Sequence, residues 1–152
     1  GRFPYLSYPR KYTSRDREIA YSAMEQVGIA DFAEKPLFML SGGMRQNAYI
    51  AMALAQDTDY ILLDEPTTYL DIAHQLELMR LLKQLSDNGK GIVTVMHDLP
   101  LAFDFSDTLT VMNNGKIIAY GTPSEICESH IVEDIFGVKI KQVQKGKYLY
   151  EY

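Results

Sequence analysis

The stretch Tyr60-Ile61-Leu62-Leu63-Asp64-Glu65-Pro66-Thr67-Thr68-Tyr69-Leu70-Asp71 decides the fold. Its opening apolar run has the length of one strand and ends abruptly in two adjacent carboxylates. A continuous apolar run of this kind suits a central strand of a parallel sheet, buried on both faces. Pro66 lacks an N–H and takes the chain out of the sheet directly after the acidic pair. In open parallel sheets the ligand crevice lies beyond the carboxyl ends of the strands, so Asp64 and Glu65 stand where a site is expected. Upstream, Leu40-Ser41-Gly42-Gly43-Met44-Arg45-Gln46 is a Gly-rich turn with a hydroxyl, placed before an apolar-periodic run. A helix starting there presents several unpaired N–H donors and a hydroxyl to one point, ready for an anion. Donors at a helix start, with carboxylates for a metal and a water, are what phosphate chemistry uses.

The flanking sequence supplies helices around this strand. Thr13 or Ser14 can cap a helix whose first turn holds Asp16 and Glu18, and Ile19, Ala20, Ala23, Met24 and Val27 recur at helical spacing until Gly28. Gly1 to Tyr12, broken by Pro4 and Pro9, reads as an extended loop. Ile29 to Phe38 reads as a short helix or turn, with Asp31 as N-cap and Pro36 interrupting. From Ser41 to about Gln56 the helix is apolar around much of its circumference and should be buried. Asp71 caps a helix from Ile72 to about Leu85, with Leu76, Met79, Leu82 and Leu85 inward. Asn88-Gly89-Lys90-Gly91 then turns the chain into a second buried strand, Ile92 to Met96, ending at His97. This strand–helix–strand order predicts a parallel α/β sheet.

Beyond it come a brief helix, Leu101 to Phe105, and a hairpin, Thr108 to Met112 with Lys116 to Tyr120 around Asn113-Asn114-Gly115. Thr122 or Ser124 caps a short helix to Ser129, and Ile131 to Phe136 is another, closed by Gly137. A last hairpin joins Lys139 to Val143 and Tyr148 to Tyr152 around Lys145-Gly146-Lys147. Residues 1–40 are expected to form a helical segment beside the sheet-bearing residues 41–152.

The 152 residues, 47% hydrophobic and 23% charged, suffice for one domain with a true core and exclude disorder. A net charge of -5 argues against a nucleic-acid binder held by a general basic field. Arg10, Lys11, Arg15 and Arg17, interleaved with Tyr8 and Tyr12, read as a solvated surface. The single cysteine, Cys127, has no internal disulfide partner and reads as core filler. No apolar run reaches bilayer length. The chain opens Gly1-Arg2-Phe3-Pro4 without Met, as a piece of something longer does.

Two adjacent carboxylates at a strand end can divide the labour. One holds a magnesium ion and the other orients or deprotonates a water. His97, at the end of the strand expected to adjoin theirs, falls near the same water. His74 and His130 read as solvated helix-surface residues.

Together these motifs resemble the ATP-binding-cassette (ABC) ATPases. Leu40 to Gln46 is similar to that family's signature motif, Tyr60 to Glu65 to its Walker B strand, Tyr69-Leu70-Asp71 to its D-loop and His97 to its switch histidine. The resemblance covers essentially the whole chain. It implies a P-loop NTPase-like (RecA-like) parallel sheet core, incomplete here, with a helical lobe at the N-terminus and β-hairpins at the C-terminus. It further implies that Asp64 helps hold Mg²⁺, that Glu65 is the general base and that His97 contacts the γ-phosphate. Ser41, Gly42 and Gly43, with Gln46 completing the motif, face ATP bound to an opposite subunit, and Asp71 lies at the subunit seam. Met44 and Asn47 depart from the family's usual Gln and Arg, which is expected to alter the strength of that seam.

A larger departure is the lack of any G-x-x-x-x-G-K-[ST] segment, the loop that wraps the β- and γ-phosphates. The family's aromatic-binding strand and Gln loop are missing as well. The sequence therefore looks like the C-terminal part of an ATPase subunit. Gly1 to Pro4, Thr67 to Ile72 and Gly121-Thr122-Pro123 resemble the subunits that power import of iron–siderophores, haem or vitamin B12. The implied partners are a second ATPase subunit (a homodimer), a transmembrane permease and, indirectly, a substrate-binding protein, with no nucleic acid. The implied place is the cytoplasmic face of the membrane. The alternatives are a soluble cassette ATPase acting on ribosomes or DNA and a catalytically silent module. The short segment before Ser41 counts against the DNA-repair branch, and intact Glu65 and His97 count against the silent module.

Overall fold

Thr13 starts the first helix as its sequence demands. In a computed structural model describing residues 1–6, 8–9, 11–144 and 146–151, α1 (Ser14–Gln26) opens with a reciprocal cap. The Asp16 N–H donates to Thr13 Oγ1 at 3.2 Å and the Thr13 N–H donates to Asp16 Oδ2 at 3.0 Å, satisfying two donors that a helix start leaves orphaned. Ala23 and Val27 are buried, and Gly28 ends the helix at a φ of +71° that a side chain would resist.

Arg2 reaches the same acid. Its Nε lies 3.1 Å from Asp16 Oδ1, its Nη1 donates to the Ala55 carbonyl at 3.1 Å, and its guanidinium stacks over Tyr5. The expected extended loop thus holds a 3₁₀ turn, Phe3–Tyr5, tied down at Ala55 and, through the Tyr5 hydroxyl, at Gln56. Ile29 to Phe38 forms two 3₁₀ turns, Ala30–Phe32 and Leu37–Met39, in place of one short helix. Asp31 lies inside the first turn; Ile29 holds the N-cap position, so the acid caps nothing there.

Helix α2 (Gly42–Leu54) packs against α1. Asn47 Nδ2 donates to the Val27 carbonyl at 3.0 Å, joining α2 to the end of α1. Ile50, Ala51 and Leu54 are buried, but Tyr49 and Met52 are about half exposed, so the apolar stripe is narrower than the composition of this helix suggests. Strands β1 (Tyr60–Asp64) and β2 (Gly91–Val95) pair in parallel, Tyr60 opposite Gly91 and Asp64 opposite Val95. Between them runs α3 (Ile72–Asp87), burying Leu78, Met79, Leu82 and Leu85. Leu76 is only half-buried, because Leu78 takes part of the inner face.

The parallel pair differs from expectation in one respect. Ile61 is buried, but Leu62 is 76% exposed, and Tyr60, Val93 and Val95 are also open. Among the described residues this sheet has two strands, and one of its faces carries no covering layer. The Tyr60 ring lies across Gly91, where a Cβ would overlap it.

These elements form one compact unit, residues 1–95; residues 96–152 form a second. In the second, Asp98 caps α4 (Leu99–Phe105) by accepting the Leu101 N–H at 2.9 Å. Strands β3 (Leu109–Asn113) and β4 (Lys116–Gly121) form the expected hairpin. Asn114 and Gly115 both take positive φ, +48° and +73°, as a two-residue turn of this hand requires. Thr122 and Glu125 build a capping box for α5 (Pro123–Glu128), and Gly137 closes α6 (Ile131–Phe136). Strands β5 (Lys139–Gln144) and β6 (Lys147–Glu151) pair antiparallel.

Phe103, Val111, Ile126, Cys127, Val132 and Ile140 make the core of this unit, with Tyr148 edge-on to Phe103 at 5.1 Å. Cys127 donates through sulfur to the Ile140 carbonyl at 3.3 Å, a filler as its setting suggests. Arg10 of the basic cluster, Lys145 of the last turn and the terminal Tyr152 lie outside the described residues.

Two measurements probe the first unit. The Thr13 backbone N–H, the Thr13 hydroxyl and Arg2 hold the Asp16 carboxyl down from 3.8 to about 2. A depressed acid stabilises the fold above its unfolded value and loses that contribution as pH falls through its folded value. Melting temperature should therefore drop more steeply in the parent than in Asp16→Asn between pH 3.8 and about 2; equal slopes would remove Asp16 from the acid limb. Asn47→Ala leaves the Val27 carbonyl without its side-chain donor and should cost about 1 kcal/mol in urea unfolding.

Candidate functional site

The end of β1 is fixed by backbone pairing before any side chain is considered. The Glu65 N–H donates to the Val95 carbonyl at 3.0 Å, carrying the ladder one residue beyond Asp64. Glu65 then turns at a φ of +45°, left-handed backbone that costs a non-glycine residue about 1 kcal/mol. The next residues hold that turn. Pro66 and Thr67 are buried beneath it, the Thr68 N–H donates to the Glu65 carbonyl at 3.1 Å, and the Thr68 hydroxyl donates to Glu65 Oε2 at 3.1 Å.

Asp64 and Glu65 both face solvent, side by side at the carboxyl edge of the parallel pair. The strand that adjoins theirs is β2, as expected, and it leads within two residues to the exposed His97 at the start of the second unit.

Ser41 caps α2, its Oγ accepting the Met44 N–H at 3.3 Å. Ser41 and Gly42 are exposed, while Gly43, Met44 and Gln46 are half-buried. Asp71 caps α3 in the same way, with Oδ1 accepting the His74 N–H at 2.9 Å. Its other oxygen accepts His74 Nδ1–H at 2.7 Å. These bonds hold the Asp71 carboxyl below the ordinary range and raise the imidazole in return.

His74 is exposed, as its helix-surface position suggests, but it is also held by Asp71. Its ring also lies against Gly43, where a Cβ would stand 2.5 Å from His74 Cδ2. A cleft of about 280 Å³ separates α2 from α3 here, lined among others by Gly43, Met44, Asn47, Leu70, His74 and Leu78. The fold thus joins the Ser41–Gly43 turn to the Leu70–Asp71 segment. No spacing in the sequence signalled that contact, because it crosses from one helix start to another. Asn47 points towards α1 instead, and His130 is solvated as expected, its side chain 73% exposed.

Asp64 and Glu65 offer hard oxygen donors open to solvent, a set that suits Mg²⁺, which commonly takes one or two carboxylates and completes its shell with water and phosphate oxygens. Among the described residues no cluster of three or more His, Cys, Asp or Glu could hold a metal by itself.

Comparison with known proteins gives this arrangement its relatives. A family profile described as ABC transporter matches residues 3–68. The petrobactin import ATP-binding protein FpuD of Bacillus anthracis is 44% identical over 137 residues, 90% of this chain and 50% of that protein. The iron(3+)-hydroxamate import ATP-binding protein FhuC of Bacillus subtilis (strain 168) is 45% identical over 139 residues, 91% of this chain and 52% of that protein. A solved metal-chelate type ABC transporter in an inward-facing conformation superposes with a TM-score of 0.85 at 27% identity, covering 99% of this chain and 61% of that one. The chain spans about half the length of the curated relatives it matches. With its motifs in the family's order, a profile match over residues 3–68 and similarity along nearly its whole length, the chain is similar to part of the ATP-binding subunits of ABC transporters.

Proposed function

We propose that this chain is part of the ATP-hydrolysing subunit of an importer for siderophore-type iron chelates. The register that sets Asp64 opposite Val95, with the Glu65 N–H on the Val95 carbonyl, carries this reading. It supports an acidic pair at the open edge of a parallel sheet, next to the strand that runs on to His97. The printed names of the relatives, petrobactin and iron-hydroxamate import proteins among them, support the substrate class. Residues 1–40 belong in this reading to a helical subdomain and residues 41–152 to the ATPase core.

The chemistry assigned to these residues is in-line attack of water on the γ-phosphorus of ATP. Glu65 takes a proton from the water as the new P–O bond forms, and the bond to the β–γ bridging oxygen breaks, leaving ADP and phosphate. Thr68, donating to Glu65 Oε2, holds the base in one orientation. Asp64 is the residue that would hold Mg²⁺, which when bound neutralises charge on the phosphate oxygens. His97 approaches the γ-phosphate, and Ser41, Gly42, Gly43 and Gln46 serve ATP on a second subunit, with Asp71 at the seam. Closure of two such subunits on ATP and their parting after hydrolysis would drive a permease, with a substrate-binding protein upstream. Among the described residues no helix is long and apolar enough to cross a membrane. This suits a subunit attached to the membrane's cytoplasmic face through its partners.

The 152-residue chain has no phosphate-wrapping loop, so by itself it should show no Glu65-dependent ATP turnover in a phosphate-release assay. In a full-length subunit containing this chain, Glu65→Gln should retain ATP binding, lower hydrolysis by about a hundredfold or more and accumulate a dimer on sizing with ATP. Hydrolysis by that variant at the parent rate would remove Glu65 as the base.

A further inference from the structure

His74 joins two segments that the sequence keeps well apart. One side of its ring is bound to Asp71, whose two oxygens accept the His74 backbone N–H and Nδ1–H at 2.9 and 2.7 Å. The other side lies on Gly43, so close that a methyl there would sit 2.5 Å from Cδ2, 3.2 Å from Cγ and 3.3 Å from Nε2. Leu70 approaches Gly42 nearby, at 4.0 Å from where its Cβ would be. The side chain, 46% exposed, therefore bridges the start of α2 and the start of α3 at the rim of the cleft between them, and a Cβ on Gly43 would meet the ring.

We propose that His74 is a positioning residue that locks Asp71 to the Ser41–Gly43 turn, so that the two seam segments move as one body. This rests on the functional reading above, in which both segments face a second subunit. If they were independent, each would have to be ordered separately when two subunits close, and closure would be less favourable by that ordering entropy. Two groups besides the backbone act on the ring electrostatically: the Asp71 carboxylate, and Glu77 on α3, which adds to the pull. Both favour the protonated imidazole, whose hydrogen bond to the carboxylate is the stronger form. His74 touches no reacting atom in this scheme; it acts through Asp71 and Gly43.

The test uses a full-length subunit containing this chain. His74→Ala should lower kcat for ATP by about tenfold while KM stays within about twofold. In the Glu65→Gln background it should raise the ATP concentration needed for half-maximal dimer by a similar factor. His74→Asn, which keeps a donor for Asp71, should recover most of the loss. His74→Phe, which keeps a ring over Gly43 but no donor, should not, and this pair decides the matter if the alanine variant melts too low to assay.

Gly43→Ala should be partly rescued by adding His74→Ala, because the second change removes the clash. Parent kcat and parent dimerisation in a folded His74→Ala protein, with Glu65→Gln still trapping the dimer, would overturn the proposal alone. Failure of Glu65→Gln to trap any dimer would overturn the functional reading and the proposal with it.

Discussion

Register in the β1–β2 pair is the constraint on which the first unit depends. A parallel pair cannot be closed by a tight turn and needs a crossover, here α3. Its register is pinned at both ends. At the start, the Gly91 N–H donates to the Asp59 carbonyl at 2.9 Å, Lys90 Nζ reaches the Thr58 carbonyl at 2.7 Å, and the Tyr60 ring occupies the space that Gly91 leaves. At the finish, Glu65 donates to Val95. A slip by one residue would turn Ile61 outward and move the acidic pair off the sheet edge. The carboxylates owe their position to hydrogen bonds and a glycine that have no part in the chemistry proposed for them.

The second recurring device is the short polar side chain at a helix start. Thr13, Ser41, Asp71, Asp98 and Thr122 each accept a backbone N–H three residues on. Four of these caps were legible from sequence, because the pattern is local: a small oxygen-bearing residue before an apolar period. Only Met96 and His97 separate Asp98 from the end of β2, and so short a gap between strand and cap hides the same pattern there. The Asn114-Gly115 hairpin and the glycine stops at 28 and 137 were legible for the same reason.

What the sequence left unread depends on contacts between distant segments. Asp31 has the right residue type for a cap, but the chain there makes a 3₁₀ turn whose start falls elsewhere. Leu78 joins the inner face because of how α3 sits on its neighbours, which periodicity alone does not fix. His74 reads as a surface histidine, and is exposed, but nothing nearby in sequence announces its contact with Gly43. The carboxylate pair and the Ser-Gly-Gly turn are legible because each is compact in sequence; the link between that turn and Asp71 is not.

The uncovered face of β1 and β2 has a practical consequence. Tyr60, Leu62, Val93 and Val95 present a continuous apolar surface on strands whose outer edges bear no neighbour among the described residues. Bare strand edges beside exposed apolar side chains recruit other chains into non-native pairing. For the isolated polypeptide this surface favours self-association, which its net charge of -5 opposes.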